Sequence, residues 1–376
     1  MISSCRNILY SPVVSRRVLR GMFMALAILF SPLVSCEILH GFSGDSGGGA
    51  LMCMDDVKMV GVPCPDSELF YAEGTMVVQK AFMGRDFEEL DGLYAKWCSG
   101  KDRFPDGRWK LAFYGDGLYD YFSSRNSWSA HLNAIKEWQR KYPNSMASRY
   151  AEAVYWHAYA WYARGSGTAG TVQKEGWALY RERIVKALDA VGAIDIKSSP
   201  CPAPYPLKIG LMRQFGLPEE TILNVYREGS DRFPQYHNIH FNMARIYDPM
   251  WGGSAESYER FAQEVARNTR AFEGMGMYAR LYWLVDVHHS LPFNEVKHRF
   301  PGWKSLRAGY EDLMRIYPNS IHNRSKYLGV ICRSRDSKLY RKLREELVGY
   351  ESYADKEMPE SLDVCDLRHN YEPRSK

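Results

Sequence analysis

The sequence predicts an all-α protein of stacked helical hairpins, an irregular α-solenoid. Three observations predict it. Apolar residues recur at three- and four-residue steps along most of the chain beyond Pro65, no period-two alternation extends over several segments, and one aromatic–proline junction is used three times.

The elements follow in order. Residues 1–36 carry Arg6, Arg16, Arg17 and Arg20 and no acidic residue, and Gly21 to Val34 is apolar yet shorter than the roughly 20 residues that span a bilayer. This is the pattern of an export signal over 1–35. Glycine and serine then dominate from Glu37 to about Pro65, so 36–66 reads as a flexible linker and 67–376 as the helical domain. Trp177, Tyr180, Ile184, Ala187, Leu188 and Val191 form one helical stripe within 172–192, closed by Gly192. Similar stripes cover 145–163, 254–265 and 277–287. Gly216-Leu217-Pro218 ends one helix and places a proline in the first turn of the next.

The junctions are Lys141-Tyr142-Pro143-Asn144-Ser145, Arg232-Phe233-Pro234-Gln235-Tyr236 and Ile316-Tyr317-Pro318-Asn319-Ser320. Proline forbids continuation of the first helix, and serine can cap the second. Such hinges resemble those of tetratricopeptide-like pairs, although their spacing is far wider than the period of about 34 residues in a regular array.

Composition narrows the function. The chain has 49 basic and 44 acidic residues, and four arginines fall in the leader, so the remainder is nearly neutral and gives no reason to expect nucleic acid as a partner. Its 26 tyrosines and 10 tryptophans are expected to fill seams between helices. Beyond Cys5 and Cys36, six cysteines (Cys53, Cys64, Cys98, Cys201, Cys332 and Cys365) permit 15 pairings in an oxidising compartment, with Cys53–Cys64 the one local guess.

Leu33-Val34-Ser35-Cys36 resembles a bacterial lipobox, which implies Cys36 as the lipid attachment site, a membrane contact through that anchor, and a periplasm-facing position at the cell envelope. Glu37 after the cysteine, where inner-membrane lipoproteins often carry aspartate, favours the outer membrane. A second resemblance rests on ordered landmarks: Phe87-Glu88-Glu89-Leu90-Asp91-Gly92-Leu93, Asp106-Gly107-Arg108-Trp109-Lys110-Leu111, Ala160-Trp161-Tyr162-Ala163-Arg164-Gly165 and Trp251-Gly252-Gly253-Ser254. Between Leu69 and Tyr350 they resemble a bacterial domain-of-unknown-function family, number 4034, considered similar to tetratricopeptide-like proteins. The resemblance implies a fold and no reaction.

The motif residues have physical readings of their own. Gly252 and Gly253 suit a tight turn, with Trp251 before it and Ser254 as the cap of the helix that follows. Arg164, beside Gly165 and Trp161, suits a helix C-terminus, with clamping of a substrate as the alternative.

Candidates for chemistry are weak. Gly44-Asp45-Ser46-Gly47-Gly48 copies the letters around a chymotrypsin-like serine, but only 45 residues precede Ser46 and His40 is the sole upstream histidine. His237 and His240, with His288, His289 and His298, lack a carboxylate at metal-site spacing. Glu219-Glu220, Asp363 with Asp366, and Glu256-Ser257 do not form the paired environments that glycan cleavage needs. The expectation is therefore a non-catalytic scaffold for an envelope protein, with no cofactor and no metal. The alternative is a glycan- or peptidoglycan-binding protein or hydrolase with an aromatic-lined groove.

Overall fold

The computed structural model describes residues 66–289 and 302–372. The signal 1–35, Cys36, the linker before Asp66, Cys53, Cys64 and His298 lie outside the described residues, as do the side chains of His288 and His289. Within them the fold is all-α. The sole strand-like pairing among the described residues is one antiparallel bridge between Arg103 and Trp109.

Helix α1 (Asp66–Leu69), a π-helical turn (Phe70–Thr75) and α2 (Met76–Gly84) run on continuously, and α3 (Phe87–Cys98), α4 (Leu111–Ser124) and α5 (Trp128–Lys141) follow. The longest helices, α6 (Met146–Arg164) and α7 (Lys174–Gly192), pair along their length. Next come α8 (Pro204–Phe215), α9 (Glu219–Arg232) and α10 (His237–Tyr247), then a 3-10 turn at Pro249–Trp251. The remainder is α11 (Ala255–Asn268), α12 (Arg270–Glu273), α13 (Gly276–His289), α14 (Trp303–Ile316), α15 (Ile321–Cys332), α16 (Ser337–Glu345), α17 (Glu351–Glu357) and α18 (Leu362–His369). Each of the long helices packs on its sequence neighbour and frequently on the next but one, as α4 on α6, α8 on α10 and α15 on α17.

The three junctions are one turn used three times. The amide of Tyr142, Phe233 or Tyr317 closes the last helical bond, to Trp138, Gly229 or Leu313 at 2.8–2.9 Å. The amide three residues on, of Ser145, Tyr236 or Ser320, then returns to that aromatic's carbonyl at 2.9–3.1 Å. Ser145 and Ser320 cap α6 and α15 by accepting the amides of Ser148 and Asn323, each at 2.9 Å, contacts worth about 1 kcal/mol apiece. Each capping hydroxyl also donates to an aspartate on an earlier helix, Asp91 for Ser145 and Asp66 for Ser320. Tyr236 fills the same position in the middle junction without a side-chain cap.

Aromatic rings fill the seams. Phe87 stacks on Trp138 at 5.5 Å, Trp128 on Tyr159 at 4.4 Å, and Tyr310 on Tyr327 at 5.0 Å. Pro218 departs from expectation by one position. It is the N-cap of α9 rather than a residue of its first turn, because its own carbonyl accepts the first helical bonds, from Thr221 and Ile222.

The array also closes on itself, which an open solenoid does not. Asp66 accepts the Ile321 amide at 3.2 Å, joining the first helix to the N-terminus of α15. Among the described residues two disulfides add cross-links: Cys98–Cys201 ties the end of α3 to the segment before α8, and Cys332–Cys365 ties α15 to α18.

Candidate functional site

Two of the sequence motifs, far apart in the chain, end on the same short stretch of α8. At the C-terminus of α6, Gly165 has a positive φ of 73° and its amide closes on the Trp161 carbonyl at 2.9 Å. The Arg164 guanidinium donates to the carbonyls of Gly165 and Gly167, both at 3.0 Å, and lies over the rings of Trp161 and Trp177 at 5.1 and 5.3 Å. The terminal arginine thus satisfies carbonyls that the end of a helix leaves bare, and it keeps an indole on each side. Trp161 then points its N–H at Gln214 on α8, at 3.1 Å. Tyr180 donates to the same amide oxygen at 3.1 Å, and His157 approaches it at the same distance. Burial pushes His157 down to about 4, so the ring is neutral, and its Nε2 also lies 3.1 Å from the Trp161 N–H.

The second motif reaches α8 from the other side. Asp248 accepts the Met250 amide at 2.9 Å, Gly252 turns the chain with a φ of 97°, and Gly253 lies so close to the Tyr247 backbone that a Cβ there would overlap it. Ser254 accepts the Ser257 amide at 3.1 Å and Ser257 Oγ accepts the Ser254 amide at 3.0 Å, a reciprocal capping box that starts α11. This turn leaves Trp251 48% exposed, with the Arg213 guanidinium 5.5 Å from its ring centre.

Arg213 is the residue that sequence reasoning missed. In sequence it is an ordinary basic residue in the last turn of a helix that stops at Gly216. In the fold it is half-buried, its Nε is fully enclosed without a hydrogen-bond partner, and among the described residues it makes no ion pair. Burial and the neighbouring Arg245 push it down to about 10, against the pull of Tyr180 and Asp248, which leaves it cationic at neutral pH. Phe215, Met250 and Trp251, each within two residues of this contact or part of it, are 45, 55 and 48% exposed.

A separate buried cluster holds His237, one of the histidines weighed for metal binding, beside groups the sequence did not single out for chemistry. Glu273 accepts from His237 Nε2 at 3.0 Å, Arg280 Nε at 3.0 Å and Tyr317 Oη at 2.7 Å. Arg280 also donates to the Asp106 carbonyl, and Arg108 folds back on the Asp106 carboxylate. The landmark Asp106-Gly107-Arg108-Trp109 thereby meets the third junction, with Gly107 under the Tyr317 ring. A cavity of about 10 Å³ lies beside His237 and Glu273, lined also by Arg103, Gln235 and Thr269.

Burial alone would raise Glu273, but Arg280 and His237 outweigh it and hold the carboxyl well below the usual range. That is the opposite of a general acid, which needs a raised value. His237 is lowered by burial, more than Glu273 restores, so their contact is a hydrogen bond from a neutral ring. His240 is held between Tyr226 at 3.1 Å and the Pro234 carbonyl at 2.9 Å. Among the described residues no group of three histidine, cysteine, aspartate or glutamate side chains can hold a metal ion. The carboxylate pairs are also occupied: Glu219 accepts from Tyr247, Glu220 pairs with Arg227, and Asp366 accepts from Tyr340.

Residues 75–231 match the model of a family described as a domain of unknown function, DUF4034. The match covers residues 75–231 of the 376-residue chain. Trp161, Arg164, Tyr180, Arg213 and Gln214 fall inside it, whereas Trp251, Glu273 and the third junction lie beyond it. No curated protein and no solved structure matches the chain.

Proposed function

We propose that this protein is a non-catalytic interaction module, lipid-anchored through Cys36 at the bacterial cell envelope, that binds a protein partner. The observation that carries the reading is the surface at the C-terminus of α8. There Phe215, Met250 and Trp251 are exposed around an arginine that no acidic side chain neutralises by contact. Aromatic rings and arginine are the side chains most enriched at protein interfaces. The charged side chain stacked on Trp251 is basic, Arg213, whereas a tryptophan beside a carboxylate would have favoured a neutral sugar.

The anchor rests on the lipobox-like Leu33-Val34-Ser35-Cys36 together with the two disulfides, which suit an oxidising compartment. No described helix is long and apolar enough to cross a membrane.

Full-length protein made in a Gram-negative host and fed an alkyne fatty acid is expected to take up label at Cys36, and Cys36→Ser to lose it. Captured from an envelope extract, wild type is expected to retain a protein that Trp251→Ala releases. Sedimentation with murein, unchanged by Trp251→Ala and without a protein partner, favours the glycan-binding alternative and overturns this one.

A further inference from the structure

Deepening the interaction-module reading, we infer that Arg213 is the anchor for a carboxylate carried by an acidic peptide segment of the partner, with Trp251 as the wall against which the neighbouring residue of that segment packs. Arg213 is half-buried with its Nε enclosed and unpartnered, a placement that costs free energy unless a counter-charge meets it, and a planar carboxylate best matches the guanidinium fork. The fold supplies none by contact. Its acidic neighbour Asp248 is committed to the Met250 amide, and Gln214, the adjacent side chain, turns its amide oxygen away to Trp161 and Tyr180.

The surroundings are also selective, with Asp248 the acidic group near Arg213 but not in contact with it. Arg245 adds a second positive charge, Tyr180 keeps its proton with burial raising it to about 12, and the Trp251 ring lies against the guanidinium at 5.5 Å. A cation already stacked on an indole retains its in-plane N–H groups for an incoming anion. Exposed Phe215 and Met250 offer apolar contact on the approach, so the fitting ligand is an aspartate or glutamate flanked by apolar side chains. The site joins the DUF4034 residues Arg213 and Tyr180 to Trp251, which lies outside the matched segment. Binding therefore depends on contact between the domain and the helices that follow it.

The test uses the full chain in detergent, probed with an array of capped peptides carrying one glutamate between apolar residues, each paired with its glutamine version. Wild type is expected to prefer glutamate, Arg213→Gln to lose at least about tenfold in affinity with the preference abolished, and Arg213→Lys to keep part of both. Trp251→Ala is expected to weaken binding while retaining the preference. Melting of Arg213→Met is a second readout: an unpaired arginine kept for binding can be removed with Tm unchanged or raised by about 2 °C. A glutamate preference that survives in Arg213→Gln, or a marked fall of Tm in Arg213→Met, overturns the inference. So does binding of muramyl dipeptide with none of the peptides. Capture of an envelope protein that Trp251→Ala abolishes and Arg213→Gln leaves intact sinks the carboxylate anchor alone and leaves the interaction module standing.

Discussion

Asp66→Asn tests how the array closes on itself. The Asp66 side chain is fully buried, accepts from the Ser320 hydroxyl and the Ile321 amide, and sits at the N-terminus of α15. Burial raises its pKa from 3.8 to about 6, with Asp106 adding repulsion and the bonds from Ser320 and Ile321 opposing the rise. The folded value exceeds the unfolded one, so the folded state binds the proton more tightly. Stability from this group is complete below about pH 4 and is lost as pH rises through about 6. At 1.36 kcal/mol per unit, a shift of roughly two units corresponds to about 3 kcal/mol. Asparagine mimics the protonated acid: its carbonyl accepts from Ile321 and its amide donates to Ser320. Wild type and Asp66→Asn should therefore be of similar stability at pH 4, and the variant should be more stable by up to about 3 kcal/mol at pH 7.5. Urea denaturation at half-unit pH steps measures this, and the difference between the two proteins cancels every other titrating group. A difference that stays constant from pH 4 to 7.5, or that moves in favour of wild type, refutes the assignment.

Two further perturbations probe the centre of the fold. Glu273→Gln leaves the buried Arg280 without its counter-charge and is expected to cost about 3–5 kcal/mol in chemical denaturation, far more than loss of an exposed pair such as Arg85–Glu137. Gly107 has a φ of 91° under the Tyr317 ring, and Gly165 has a φ of 73° with open space around it. Alanine at Gly165, whose ψ of 178° makes the conformation one essentially confined to glycine, is expected to cost about 1–3 kcal/mol for the backbone alone, and at Gly107 a displaced Tyr317 in addition, which paired thermal melts will separate.

The local grammar of this chain was readable in its letters. Pro143 and Pro318 stop helices wherever they stand, Ser145, Ser254 and Ser320 accept amides three residues ahead, and Gly252 turns the chain regardless of its neighbours. Each acts within about five residues, so adjacent letters suffice. The closure of the array was not readable, because Asp66 and Ile321 are separated by 255 positions and neither is unusual in its own segment. The disulfides were closed to sequence for the same reason. With 15 pairings open, the two seen among the described residues depend on α3 lying beside the segment before α8, and on α15 lying beside α18.

The contrast between Arg280 and Arg213 explains why the candidate site was harder to read than the fold. Both are arginines on helices among apolar residues, and nothing in either segment says which one will find a counter-charge. Arg280 meets Glu273 from α12 and the Asp106 carbonyl from the loop before α4, so its charge is consumed in holding three parts of the chain together. Arg213 stacks on a ring, feels Arg245 on one hand and Asp248 and Tyr180 on the other, and makes no ion pair among the described residues. Whether a charged side chain is mortar or a binding group is decided by what the rest of the chain brings to it. A marginally stable fold has little free energy with which to carry a half-buried charge that no carboxylate contacts, so Arg213, beside exposed Trp251, is the place to look for the partner.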